Sequence, residues 1–188
     1  MQTLLSTTLE SPIPAATEVW ALDPSHTQVG FAVKHLMISN VKGHFQDVAG
    51  TVTLDQHNGA EIDIQIQAAS ITTRDEKRDA HLRSADFLES DVHPVLRFTG
   101  GRIEGKLDGK FSIHGNIEIR GVTKPVTLYV INQGGLLDPW GSARIGYIAT
   151  ATINRKDFGL EWNMALEAGG VLVGDDVRIT IETELVRR

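Results

Sequence analysis

The chain has 188 residues, no cysteine and a formal net charge of −6 at pH 7. This length suits a single domain that buries most of the surface its unfolded chain exposes. The negative charge and the lack of a Lys/Arg cluster argue against a nucleic-acid surface, and without cysteine there is neither a disulfide nor a thiolate site.

The first residues are predicted to form a flexible tail over 1–17, ahead of a folded domain over 18–188. Residues 1–18 contain no Lys or Arg and carry Pro12 and Pro14, so they lack the basic start and unbroken apolar stretch of a secretory signal. Apolar runs such as 126–131 are too short to cross a bilayer. We therefore expect a cytoplasmic protein without a transmembrane segment.

Alternation of apolar and polar residues with a period of two predicts strands through most of the chain. One example is the run in which Ile62, Ile64 and Ile66 alternate with charged or amide side chains. The predicted strands cover 28–35, 52–54, 61–68, 95–100, 111–120, 126–132, 145–153 and 177–182. Turns are predicted at 55–59, at 100–101 and at 107–109, and a loop is predicted over 134–141, because these stretches contain Gly, Asn, Asp or Pro.

One helix is predicted, over residues 73–88. Thr73 and Glu76 have the spacing of a capping box, and Asp79 and Arg83 are four residues apart, which is an attractive pair on a helix. Pro94 requires the helix to end before it. The apolar side of this segment is thin, so the helix is expected to cover the strands and not to form the core. Its apolar residues are Ala80, Leu82, Ala85, Phe87 and Leu88.

The strands have no strand–helix–strand rhythm, which predicts an all-β fold with an antiparallel sheet. About eight antiparallel strands either close into a barrel or split into a sandwich, and closure removes the unpaired edges. A small barrel with apolar inner faces is either packed solid or holds one apolar ligand. The residues alone favour the solid core, although an aromatic fraction of only 6% leaves room for a cavity.

Several short motifs resemble the YceI-like family of lipid-binding proteins. No single motif is specific, but their order and their coverage from about Trp20 to Leu185 make the match specific. They are W-A-L-D-P-S-H-T-Q-V-G-F-A-V-K-H-L at 20–36, V-K-G-H-F at 41–45, R-D-A-H-L-R-S-A-D-F at 78–87, G-V-T-K-P-V-T-L at 121–128, D-P-W-G at 138–141 and I-N-R-K-D-F-G-L at 153–160. The resemblance implies an extended, lipocalin-like antiparallel barrel with a long apolar pore, covered at one region by the helix.

The resemblance also implies a function, which is non-catalytic binding, carriage or sequestration of a long-chain isoprenoid or similar amphiphile. The expected ligand is a polyprenyl phosphate or a quinone, with no other cofactor. Many relatives carry a secretory signal and are periplasmic, and family members often pair, so a homodimer is left open. Two other functions stay open, namely an enzyme that uses His35 or Asp86 as acid/base on a hydrophobic substrate, and a stress-protective structural module.

Ligand contacts are predicted along the apolar strand faces and on the helix. The predicted residues are Val29, Phe31, Val33, His35, Phe45, Ile64, Ile66, Leu82, Phe87, Phe98, Tyr147 and Ile153. For each of them the alternative is a core position that touches no ligand. His35 shares the face of Phe31 and is expected either to meet the polar end of the ligand or to bond a neighbouring element.

Three arginines are candidates for contact with an anionic head group, namely Arg74, Arg78 and Arg155. The alternatives are solvated helix charges for the first two and a pair with Asp157 or a backbone carbonyl for the third. No metal site is expected from the histidines at 26, 35 and 44, since nine residues of strand span about 30 Å.

Overall fold

The computed structural model describes residues 17–54, 59–165 and 171–188, and strands dominate these ranges. The strands are β1 (Glu18–Leu22), β2 (Gln28–His35), β3 (Ser39–Phe45), β4 (Val48–Leu54), β5 (Gly59–Gln67), β6 (Ile71–Thr72), β7 (Val95–Gly105), β8 (Lys110–Ile119), β9 (Val122–Leu137), β10 (Ala143–Asn154) and β11 (Val173–Arg187). Within the described ranges the α-helix is α1 (Glu76–Arg83), and no helix there is long and apolar enough to span a membrane.

These strands close into an eight-position antiparallel barrel. β1 and β2 form one interrupted strand, β3 and β4 a second, and β5 and β6 a third, and β7 to β11 supply one position each. β11 pairs with β10 along one side and with β2 and β1 along the other, which completes the ring. Neighbours in the sequence are neighbours in the ring, so the predicted fold class is confirmed.

The alternation predicted for β5 sets the inside and the outside of the wall. Ile62 and Ile66 are buried, and Ile64 lies opposite Phe98 of β7. On the outer face Arg97 donates two hydrogen bonds to the Asp63 carboxylate, at 2.8 and 2.6 Å. The apolar residues therefore face the interior of the barrel, and the charged residues pair on the surface.

The predicted turn at 100–101 is wrong and the predicted loop over 134–141 is confirmed only for 138–141, because glycines continue a strand through the rest. β7 runs through Gly101, where a Cβ atom would lie 2.1 Å from the carbonyl oxygen of Ala60, so only glycine lets β7 and β5 approach so closely at this bulge. β9 likewise continues to Leu137, which leaves only a short turn before β10. The turn at 107–109 is confirmed, and most of the predicted turn at 55–59 lies outside the described residues, as do residues 1–16 of the predicted tail.

The helix is shorter than predicted, and its N-cap is Asp75 instead of Thr73. The Asp75 carboxylate accepts a hydrogen bond from the backbone N–H of Arg78 at 3.1 Å. Thr73 does not form a capping box with Glu76, because its N–H and hydroxyl both donate to the buried carboxylate of Asp79, at 2.7 and 2.5 Å. After Arg83 the chain continues in turns that bond back to the helix.

Asp79 is the buried anchor of this segment. Burial alone would raise the pKa of its carboxyl, but the hydrogen bonds from Thr73 outweigh that effect and hold the pKa below its ordinary value. The charged carboxylate thus fixes the chain between β6 and α1, and with it the position of the helix over the barrel.

Candidate functional site

The barrel encloses a cavity of about 690 Å³. All twelve residues predicted to contact a ligand lie on its wall, and whether they touch a ligand stays a prediction. Alternation on β2 and β5, together with pairings such as Val29 with Phe45, brings these side chains to the inner face. The interior is therefore hollow, in contrast to the solid core that the residues alone favour.

Part of this space exists because an aromatic ring lies flat against the wall. The Phe31 ring packs beside that of Phe45, with ring centroids 5.9 Å apart. A Cβ atom at Gly43, on the neighbouring strand, would lie 2.4 Å from the ring carbon Cζ of Phe31. The glycine therefore makes room for the ring at the wall, so that the ring does not fill the lumen.

The two ends of the cavity differ in polarity. The end away from α1 is bordered by apolar and aromatic side chains, among them Ile103, Leu107 and Phe111. The end beneath α1, which we call the mouth, is bordered by the charged or ionisable residues Lys34, His35, Asp75, Lys77, Arg78, His81 and Arg155. Such a gradient suits a molecule with a long apolar body and one polar end.

Tyr147 carries a hydroxyl into the apolar part of the cavity. Its ring meets that of Phe111 edge-on, with centroids 5.9 Å apart. Burial raises the pKa of the phenol, so the hydroxyl stays neutral at physiological pH and can both donate and accept a hydrogen bond.

The three candidate arginines have different environments. Arg74 is exposed and does not border the cavity, so the structure does not bring it to the site. Arg78 does border the mouth, where its guanidinium donates to the hydroxyl and the carbonyl oxygen of Thr73, at 2.7 and 3.1 Å, and lies 3.8 Å from the Asp75 carboxylate. Among the three, Arg78 is the one that borders the mouth without being buried, and its contact with a head group stays a prediction.

Arg155 borders the cavity but is committed to the protein. It is buried, and its guanidinium donates to the carbonyl oxygens of Leu160, Trp162 and Gly174. Loss of hydration lowers its pKa, partly offset by Asp175 at 3.4 Å. The backbone-carbonyl alternative given for this residue is thus the observed one, and Arg155 acts as a brace for the chain that follows β10.

Three rings close the mouth from the side of the helix. His81, Phe87 and Trp162 contact one another, with centroid distances of 5.1 Å for His81–Phe87, 4.7 Å for His81–Trp162 and 5.4 Å for Phe87–Trp162. His81 Nε2 also lies 2.8 Å from a carboxylate oxygen of the exposed Asp86. Of this cluster Phe87 is a predicted site residue, whereas His81 and Trp162 were not predicted.

The wall of the barrel has a gap beside the mouth. β9 and β10 stop pairing at Tyr129 and Thr150, although both strands continue further, so their last stretches lie apart. The recess between them has a volume of about 550 Å³, and Val126, Ile153 and Phe158 border both this recess and the cavity. Phe158 is only 2% exposed and fills the gap.

A second charged cluster lies far from the mouth. Arg144 donates to the carboxylates of Asp23, Asp138 and Glu184, at 2.6, 2.9 and 3.2 Å. The Arg144 guanidinium, with help from His26, lowers the pKa of Asp23 to about 2. These carboxylates already have a cationic partner, so we interpret the cluster as a structural tie between β1, β10 and β11.

The match to known proteins covers almost the whole barrel. The model of the YceI-like domain family matches residues 20–185. The chain belongs to the YceI-like family. A relative, a UPF0312 protein of Pectobacterium atrosepticum, is 37% identical, in an alignment that covers 100% of this chain and 98% of the relative.

Two solved structures share the barrel at low sequence identity. BcnA of Burkholderia cenocepacia has a TM-score of 0.74 at 18% identity, covering 87% of this chain and 98% of its own. A domain of Saccharophagus degradans, described as a polyisoprenoid binding domain implicated in plant cell wall breakdown, has a TM-score of 0.67 at 15% identity, covering 90% of this chain and 98% of its own. At these identities the likeness shows the fold that this YceI-like chain shares with them.

Proposed function

We propose that this YceI-like protein binds a long-chain isoprenoid or similar amphiphile in its barrel, without catalysis, and carries or sequesters it. The observation that supports this most strongly is the cavity of about 690 Å³ with its apolar wall and its single polar end. The description of the Saccharophagus neighbour as a polyisoprenoid binding domain supports the same ligand class.

The affinity of such a site comes mainly from the apolar chain. Each buried CH₂ contributes roughly 0.8 kcal/mol, so a five-carbon isoprene unit contributes on the order of 3 kcal/mol. Association costs about 4–15 kcal/mol, so several units must be buried before binding is measurable. A neutral hydrogen bond to the head group adds only about 1 kcal/mol, and the head group therefore mainly orients the ligand.

The mouth favours an anionic head group. Lys34, Lys77 and Arg78 border it together with one acidic residue, Asp75. A phosphate placed there would gain charge-assisted hydrogen bonds that a quinone ring cannot form. We therefore propose a polyprenyl phosphate as the preferred ligand, with its chain directed towards Phe111.

The substitution Phe31→Asp tests the cavity as the binding site. A carboxylate at this position would lie in the apolar wall without a partner, and uptake of a prenyl phosphate should be lost. The matched control is Ala32→Asp, which adds the same charge one residue along β2, opposite Lys42 and Arg178. Unchanged uptake by a folded Phe31→Asp protein would contradict binding in this cavity.

Two further variants distinguish binding without catalysis from the enzymatic alternative. His35 borders the cavity, whereas Asp86 is exposed and paired with His81. If the protein only binds its ligand, His35→Ala and Asp86→Ala should both retain lipid uptake. If the original protein turns over a prenyl substrate and either variant loses that turnover, the protein is an enzyme.

A further inference from the structure

An exposed apolar turn lies at the mouth of the cavity. Leu36, Met37 and Ile38 connect β2 to β3, and Met37 and Ile38 are 58% and 82% exposed. Leu36 and Met37 also have positive φ angles of 51° and 61°, a conformation in which Gly or Asn is the usual residue. Neither the turn geometry nor packing within the described residues accounts for three apolar side chains here.

A second exposed segment lies beside this turn. The N–H of Leu36 donates to the carbonyl oxygen of Leu172 at 2.9 Å, and the N–H of Leu172 donates to that of Met164 at 3.0 Å. Met164 and Val171 are exposed as well. We call the five exposed residues the apolar rim, and they are Leu36, Met37, Ile38, Met164 and Val171.

The apolar rim adjoins both the cavity and its cationic border. Lys34 and His35, which directly precede the rim, line the cavity, and Leu172 lines it from the other segment. Lys34, Lys77 and Arg78 line the mouth together with one carboxylate, Asp75, so these lining residues carry an excess of positive charge although the whole chain has a net charge of −6. Apolar side chains next to cations are the combination that binds an anionic membrane interface.

We infer that the apolar rim docks on the surface of an anionic phospholipid bilayer, with Met37 and Ile38 inserted among the lipid head groups. In this orientation the mouth faces the bilayer, so a lipid could move between bilayer and cavity without crossing water. This docking goes beyond the proposed function, because it requires only the rim and its cations and not a particular cargo.

Another exposed apolar patch provides a matched control. Leu136, Leu137 and Trp140 lie at the turn between β9 and β10, and Trp140 is 84% exposed. Because alternate turns of an antiparallel barrel lie at opposite ends, this turn is at the end away from the mouth. This patch does not border the cavity, and an acidic residue, Asp138, lies within its turn.

Flotation of the full chain with phosphatidylcholine vesicles, with and without phosphatidylglycerol, tests the inference. The protein should float with the anionic vesicles, and the double variant Met37→Ser/Ile38→Ser should lower its partition coefficient at least tenfold. The double variant Leu137→Ser/Trp140→Ser removes comparable exposed apolar surface and should partition like the original protein. Circular dichroism melting of each variant shows that the barrel is folded.

A labelling experiment locates the contact. Since the chain has no cysteine, Ile38→Cys and Trp140→Cys can each carry one environment-sensitive fluorophore. The emission at position 38 should shift to the blue on anionic vesicles, and that at position 140 should not.

Three results would overturn the inference: failure of the original protein to float, equal loss in both double variants, or a Met37→Ser/Ile38→Ser protein that still floats but sediments as a smaller oligomer. The last result would make the rim a contact between copies of the chain. Uptake of prenyl phosphate from detergent, measured in parallel, distinguishes a failure of docking from a failure of ligand binding.

Discussion

The substitution Ala149→Trp should shorten the cavity and thereby weaken the binding of long prenyl chains. Ala149 lines the cavity on β10, four residues before Ile153 near the mouth and four after Ile145. With about 3.3 Å per residue and a strand tilt of about 40°, Ala149 lies roughly 10 Å below Ile153, and Ile145 roughly 20 Å below it. An extended isoprene unit, with four carbon–carbon bonds of about 1.5 Å, covers about 5 Å.

The cavity should therefore hold about four isoprene units down to Ile145, and a bulky ring at position 149 should leave room for about two. Displacing two units forfeits up to about 6 kcal/mol of buried apolar surface. Since a displaced chain can still cover part of the wall, we expect the four-unit chain to lose about 3 kcal/mol of binding free energy, which is on the order of 100-fold in Kd. The affinity for a two-unit chain should fall far less.

Competition against a fluorescent lipid, with prenyl phosphates of two and four units, measures this difference. The control is Thr150→Trp, which places the same ring at the next residue, on the exposed outer face of β10. A folded Ala149→Trp protein that binds the four-unit chain as tightly as the original does, or that binds both chain lengths with equally weakened affinity, would contradict the estimated depth of the cavity.

Four further substitutions test the frame around the cavity. Phe158→Ala should lower the free energy of unfolding by about 3–5 kcal/mol, measured with urea, because it empties the gap between β9 and β10. An unchanged urea midpoint would contradict that role. Asp79→Ala should cost about 2–3 kcal/mol, since the donors of Thr73 lose their acceptor, whereas loss of the cap in Asp75→Ala should cost about 1 kcal/mol. The lowered pKa of Asp23, about 2 against 3.8, stabilises the fold above pH 4, and this contribution is lost as the pH falls through 2. Arg144→Gln should therefore be less stable than the original protein at pH 6, with the difference shrinking towards pH 2, and an equal difference at both pH values would exclude the pairing.

The faces of the strands could be predicted from the sequence because period two alone decides which side chains share a face. Phe31, Ile64 and Tyr147 reach the cavity wall for this reason. Whether the interior is hollow could not be predicted in the same way. It depends on details such as the room that Gly43 gives the Phe31 ring, and alternation alone does not fix the register that sets Gly43 opposite Phe31.

The mouth was predicted less completely than the wall. Trp162 joins His81 only through the packing of the segment after β10 against the helix, a contact between residues far apart in the sequence. For Arg155 the sequence left a head-group contact and a bond to a backbone carbonyl both open, because a local motif does not show which carbonyl oxygens the fold brings around the guanidinium. One unused signal was Pro125, which lacks an N–H and lies on the part of β9 that does not pair with β10.

The presence of a lipid in the cavity is tested most directly by purifying the protein under mild conditions, extracting it with solvent and measuring the mass of what is released. We predict a long-chain isoprenoid, about one per chain, that is missing from the Phe31→Asp protein. An empty original protein that also fails to take up added prenyl phosphates and quinones would contradict the proposed function.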